Sequence, residues 1–82
     1  MEKLEAELNI ALRHVAEARE IVARQRDLIA KLIADNLPTR GDKALLDTFI
    51  VTLECLEYHA QLLESEIDAA KKGIEPWKGQ PL

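Results

Sequence analysis

Apolar residues in the second half of the chain recur at alternating steps of three and four. This spacing is typical of a helix that packs along a neighbouring helix in a coiled coil or a bundle. The pattern predicts a helix from about residue 40 to about residue 72. Its apolar series, which we call the inner seam of this helix, consists of Leu46, Phe49, Leu53, Leu56, Ala60, Leu63, Ile67 and Ala70.

A second apolar series, which keeps the same spacing on the same helix, is formed by Val51, Cys55, Tyr58 and Leu62. At about 100° per residue, this series lies on the far side of the helix from the inner seam. A single neighbouring helix covers only one of the two surfaces. We therefore expect these four residues, the outer stripe of the second helix, to form an interface with another chain.

The first predicted helix runs from about residue 3 to about residue 35. Leu12, Ile21, Leu28 and Ile33 widen its apolar face on both flanks, and this width favours a helical bundle over a simple two-stranded coil. The inner seam of this helix consists of Leu4, Leu8, Ala11, Val15, Ala18, Val22, Gln25, Ile29 and Leu32.

The segment between the helices carries residues that end one helix and start the next. Asn36 tolerates the left-handed conformation of a helix end, and Pro38 cannot continue a helix. Thr39, with Asp42 three residues later, predicts a weakened capping box at the start of the second helix. Gly73 predicts its end, and we expect residues 74–82 to form an irregular tail. A turn over residues 36–39 makes the helices antiparallel neighbours, so the predicted fold is an all-α, two-helix hairpin over residues 1–73.

A register centred on Thr39 gives each seam residue a partner. It pairs Gln25 with Leu53, which places an amide in an apolar seam, and Ala18 with Ala60, which leaves a thin waist. Gln25 then serves either as a register marker or as a contact to its own copy across a dimer axis. The other predicted pairs are Leu32 with Leu46, Ile29 with Phe49, Val22 with Leu56, Val15 with Leu63, Ala11 with Ile67 and Leu4 with Ile74.

Size and composition strengthen the expectation of a second chain. A domain of 82 residues buries only about 60% of its unfolded surface, and a two-helix hairpin buries less. Cys55 is the single cysteine, so no disulfide stabilises the fold. The sequence therefore predicts a homo-oligomer, a dimer in the first place, which pairs hairpins into a helical bundle.

Charge is distributed unevenly between the helices. Six acidic residues and no Lys or Arg lie from Asp47 to Asp68, whereas five basic and three acidic residues lie from Arg13 to Lys31. This asymmetry fits complementary flanks of two facing helices, for instance an ion pair of Arg19 with Glu57. The alternative is a docking surface for a charged protein partner. A net charge of −4 and dispersed arginines argue against nucleic-acid binding.

The chain begins with charged residues, and charges interrupt every apolar run before it reaches the ~20 residues of a membrane span. We therefore expect no membrane association. The single cysteine and the lack of an export signal predict a cytoplasmic location.

Five segments of the chain carry a resemblance to other proteins: residues 14–17, 21–25, 29–32, the break at 35–39, and residues 45–49. Over about residues 14–63 the chain resembles a group of short bacterial helical-hairpin proteins of unknown function. Proteins of that group carry Gly where this chain has Asn36, and an acidic residue near Gly41. The resemblance implies a hairpin and no activity.

Residues that could carry chemistry are few. His14 and His59 fall within about a turn of each other in the predicted hairpin, and a nearby Glu17 or Glu66 would complete a two-His, one-carboxylate metal site. Their spacing has no local metal signature, so polar edge residues are the favoured interpretation, and no cofactor is expected. Cys55 has no cationic residue within one turn, which indicates packing rather than nucleophilic catalysis.

The tail holds the only tryptophan. Trp77 either folds back onto the open end of the hairpin or anchors a protein partner as a short linear motif. Taken together, the sequence predicts a non-enzymatic oligomeric module for protein–protein interaction. The alternative is a carrier bundle that binds a small ligand or a metal through His14 and His59.

Overall fold

The computed structural model describes residues 2–73, which form two helices packed against each other. Helix α1 spans Glu2–Ala34 and helix α2 spans Arg40–Lys71, and no strand occurs between residues 2 and 73. Each helix is about 50 Å long at 1.5 Å per residue. The predicted two-helix hairpin is confirmed, and the helix ends lie within one residue of the predicted ends.

Helix α1 ends in a Schellman motif. The backbone N–H of Leu37 donates to the carbonyl of Leu32 at 2.9 Å, and that of Asn36 donates to the carbonyl of Ile33 at 3.1 Å. Asn36 has a φ of 58°, the left-handed conformation expected for this position. The reversal of the chain is therefore centred beside Asn36, before Pro38.

Helix α2 starts without the predicted capping box. Thr39 occupies the N-cap position and its carbonyl accepts from the N–H of Lys43 at 2.8 Å, but its side chain makes no capping hydrogen bond. The backbone of Thr39, with φ −121° and ψ −1°, lies outside the extended region from which an N-cap side chain usually reaches the first turn. The capping box is therefore a wrong prediction, although the position of the cap is right.

The two inner seams face each other and form the core. On α1 the buried residues are Ala11, Val15, Ala18, Val22, Gln25 and Ile29. On α2 the buried residues are Ala60, Leu63 and Ile67, whereas Leu46, Phe49, Leu53 and Leu56 are half-buried. Ala70, a predicted seam residue, is exposed.

Gln25 shows that the predicted register of the helices is wrong. Its Nε2 amide donates to the backbone carbonyl of Asp42 at 3.0 Å and to the Asp42 Oδ1 atom at 3.3 Å. In the predicted register Gln25 faces Leu53, which lies about 16 Å further along α2 than Asp42. A glutamine side chain cannot span that distance, so α2 is displaced from the predicted alignment. Ala11 clusters with Ala60, seven residues before its predicted partner Ile67, which sets the displacement at about two helical turns.

The displacement changes most partners of the seam residues but leaves the seams themselves intact. The predicted neighbours Val15 and Leu63 still lie in one buried cluster. Ala60 lies in a buried cluster with Ala11, Val15 and Leu63, so the predicted waist of Ala18 against Ala60 is wrong. Two turns correspond to about one heptad, and a heptad pattern repeats after that step. The predicted pairing of Leu4 with Ile74 involves a residue outside the described range, and Leu4 packs against the core cluster instead.

The same displacement accounts for Ala70. Position 70 of α2 is level with the first residues of α1, where no seam residue of α1 remains to cover it. Gly73, with φ 73°, follows the end of the helix as predicted, and its N–H donates to the carbonyl of Ala70 at 3.1 Å.

Candidate interaction surface

The outer stripe of α2 is exposed along its whole length. Val51 and Tyr58 retain 58% and 63% of their accessible surface, and Leu62 retains 44%. Cys55 is a free and exposed cysteine between them. These residues lie on the side of α2 that faces away from α1, so the hairpin by itself leaves a continuous apolar strip in water.

Helix α1 carries an exposed apolar strip of its own. Ile10, Ile21 and Leu28, which we call the outer stripe of α1, each leave nearly half of their surface exposed. At about 100° per residue they lie roughly a quarter turn from the inner seam of α1. The sequence pattern places Ile21 and Leu28 on the flank of the seam but assigns no role to Ile10, which lies among the seam and flank residues Leu8, Ala11 and Leu12.

A groove between the two helices lies beside the outer stripe of α1, and Ile10 of that stripe lines it. It has a volume of about 370 Å³. Ile10 and His14 of α1 form one wall, and Leu56 and His59 of α2 form the other, with Glu7 and Ala11 also lining the space. We call it the histidine groove. Cys55 lies one turn from His59 on α2 but does not line the groove.

The opposite groove of the hairpin is more polar. It has a volume of about 270 Å³ and is lined mainly by charged and amide side chains, including Gln61 and Glu64. Arg19 Nη2 donates to Glu57 Oε2 at 2.8 Å across this groove, which confirms the predicted ion pair. Among residues 2–73 it is the only ion pair that joins the two helices.

Most of the charged residues behind this asymmetry therefore form no ion pair between the two helices of the hairpin. In the part of the chain that the structure describes, Asp47, Glu54 and Glu66 of α2 take part in no ion pair. The same holds for Arg13 and Lys31 of α1. Complementary flanks within one hairpin explain only a small part of the charge distribution.

His14 and His59 line one groove, as the sequence predicts, but the groove holds no obvious metal site. Residues 2–73 contain no group of three His, Cys, Asp or Glu side chains that could hold a metal ion. Every buried side-chain polar atom within the same range has a hydrogen-bond partner. The histidines therefore present polar edges to an open groove. Trp77, the other predicted docking residue, lies outside the described residues.

Comparisons with protein-family models, with curated proteins and with solved structures found no match for this chain. Neither helix between residues 2 and 73 is apolar enough over a sufficient length to cross a membrane. Function is therefore inferred from the surface of the hairpin.

Proposed function

We propose that the protein is a non-enzymatic helical-bundle module that associates with a second copy of itself and provides a platform for protein–protein interaction. The observation that carries this proposal is the exposed outer stripe of α2. Val51, Cys55, Tyr58 and Leu62 form a continuous exposed apolar strip on one face, and a contiguous strip of this kind is typical of an interaction surface. Its position opposite the inner seam is the position at which a central helix of a bundle meets a second partner.

The energetics support the same conclusion. Burial of apolar surface contributes roughly 25 cal/mol per Å², so covering the outer stripe adds stability that a two-helix hairpin of this size otherwise lacks. Folding and association are then linked, and the stability of the protein depends on its concentration.

A charge-insertion variant tests the proposal. Changing both Val51 and Leu62 to Glu should dissociate the oligomer, because two carboxylates cannot be buried without partners. Size-exclusion chromatography with light scattering measures the mass, and circular dichroism measures the melting temperature. We expect the variant to run as a monomer with a lower melting temperature.

The matched control changes Leu12 and Ile33 to Glu. These residues are also exposed and apolar, but they lie outside both outer stripes. The control should keep the mass of the unmodified protein. If both double variants behave alike, or if the Val51 and Leu62 variant remains a dimer, the outer stripe of α2 is not the interface.

A second candidate function is supported by the histidine groove, whose volume of about 370 Å³ lies at the low end of small-ligand pockets. In this alternative, His14 and His59 bind a small ligand or a transition metal. Isothermal titration with zinc tests the metal form directly. Binding that disappears in both His14→Ala and His59→Ala would support a carrier, whereas no heat of binding would remove the metal from consideration.

A further inference from the structure

The exposed apolar residues of the two helices follow the same spacing in opposite directions. Along α1, three of them are separated by eleven and then seven residues. Along α2, read from its C-terminal end, three exposed apolar residues are separated by the same eleven and seven residues. The two sets, in that order, are Ile10, Ile21 and Leu28 on α1, and Leu62, Val51 and Ala44 on α2.

The residues between them also match. On α1, His14 and Glu17 follow Ile10 by four and then three residues, and on α2, Tyr58 and Cys55 precede Leu62 by the same steps. Two antiparallel strips with equal spacing can meet residue by residue along a length of about 27 Å. The strips cannot meet within one hairpin, because each lies away from the inner seam.

The register of the hairpin supplies the alignment. The hydrogen bond from Gln25 to Asp42 and the cluster of Ala11 with Ala60 show how α1 is aligned along the length of α2. With Ala11 level with Ala60, Ile10 is level with Leu62 to within one residue. The long side chain of Gln25 reaches Asp42 about one turn beyond its own level on α2. The other members of the two strips are aligned equally well, because their spacings are equal.

If two copies are related by a twofold axis parallel to the helices, the rotation leaves each residue at the same height along the axis. Helix α1 of one copy is therefore level with α2 of the other copy in the same register as with its own α2. We propose that two copies pair in this way, so that the outer stripe of each α1 packs against the outer stripe of the other copy's α2. This arrangement, which rests on the proposed function, gives an antiparallel four-helix bundle in which every neighbouring pair is one α1 and one α2.

Charge favours this pairing over one in which α2 meets α2. The outer stripe of α2 is bordered by Asp47, Glu54 and Glu66, and none of the three has an ionic partner among residues 2–73. Contact between two copies of α2 would place these like charges side by side, which opposes association. The outer stripe of α1 is bordered by charges of both signs instead, with Arg24 and Lys31 as well as Glu7, so its repulsion towards α2 is smaller. Arg24, which also pairs with Glu20 on its own helix, is level with Asp47.

Cys55 provides a direct test, because it lies in the middle of the proposed contact and is the only cysteine. The variant Glu17→Cys places a second thiol on α1 at the level of Cys55. Under mild oxidation we expect most of the variant to become a disulfide-linked dimer on a non-reducing gel. A disulfide needs Cα atoms within about 7 Å, so it forms only where the helices are in contact.

Three controls separate the possible pairings. The wild-type chain should not cross-link, since Cys55 of one copy faces α1 of the other. The variant Glu17→Cys with Cys55→Ser should not cross-link, since its two thiols lie on helices that are not neighbours. The variant Ala16→Cys, which is exposed at the same level but points about 100° away from position 17, should cross-link weakly.

The outcomes distinguish this inference from the proposed function. Cross-linking of Glu17→Cys alone supports the pairing of α1 with α2 between copies. Efficient cross-linking of the wild-type chain would overturn it in favour of contact between two α2 helices. A dimer by light scattering that fails to cross-link through position 17 would also overturn it and leave the proposed function intact. A monomer by light scattering would contradict both.

Discussion

The inner seam and the outer stripe of α2 have the same spacing and similar side chains, yet they differ sharply in burial. The neighbouring residues Leu62 and Leu63 show the contrast, since Leu63 is 5% exposed and Leu62 is 44% exposed. The difference arises because α1 covers one side of α2 and leaves the other side open. The spacing of apolar residues thus identifies helix faces that can pack against a partner. The burial of those residues in a single chain shows which faces are already packed.

A second difference lies along the seam. Towards the open end of the hairpin Ala60, Leu63 and Ile67 of α2 are buried, whereas near the turn Leu46, Phe49, Leu53 and Leu56 are only half-buried. The seam residues of α1 opposite the turn half, such as Val22 and Ile29, are nevertheless buried. Near the turn, α2 therefore covers α1 better than α1 covers α2. At the open end the reverse holds, because Leu4 and Leu8 of α1 are half-buried.

The largest loss of stability is expected for a substitution in the inner seam. Leu63→Ala should lower the free energy of unfolding by about 3 kcal/mol, because the substitution leaves a cavity in the buried cluster. Chemical denaturation monitored by circular dichroism measures this loss. The loss should be similar at all protein concentrations at which the oligomer is intact.

Leu62→Ala is the matched control for that prediction. It removes the same atoms from the adjacent residue, so its effect should fall on association rather than on the hairpin core. We expect a smaller loss of stability and a raised dissociation constant. Equal losses for both variants, without any change in association, would show that the seam and the stripe do not differ in function.

A smaller effect is expected for the polar residue of the seam. Gln25→Ala should cost about 1 kcal/mol, because it removes the amide that bonds to Asp42 and fixes the register. Gln61→Ala, at an exposed glutamine of α2, should change stability by less than about 0.5 kcal/mol. If the two variants lose the same amount in thermal unfolding, the bond to Asp42 does not hold the helices in register.

The smallest effect is expected at the edge of the seam. Arg19→Ala should cost about 0.5 kcal/mol, since its ion pair with Glu57 is largely solvent-exposed. The cost should shrink in 1 M salt, where exposed charges are screened. Arg13→Ala, at an arginine in no ion pair among residues 2–73, should show no such salt dependence in the same denaturation assay.

The sequence predicts the helices and their seams because each depends on local spacing. The end of α1 at Asn36 and the end of α2 before Gly73 follow from residues that adopt left-handed backbone conformations. The alignment of α1 along α2, in contrast, is not determined by any residue at a helix end. A shift of about one heptad leaves every apolar position in the seam, so the pattern alone cannot choose between alignments that differ by two turns.

Asp42 illustrates why the alignment of the two helices is not predicted from local sequence. Its place in the first turn of α2 favoured a role in capping, together with Thr39. In the structure its carbonyl and carboxylate accept from Gln25 instead, so a contact between distant residues replaces a local one. Similarly, Ile10 gains meaning only from the register, because its match to the outer stripe of α2 depends on how the helices are aligned.

The central claim is that the outer stripe of α2 is covered by a second copy of the chain in solution. Sedimentation equilibrium of the unmodified protein, over a range from about 1 to 100 micromolar, tests this most directly. We predict twice the mass of one chain across most of the range, with dissociation at the lowest concentrations accompanied by loss of helical circular dichroism. A fully helical monomer at every concentration would contradict the claim.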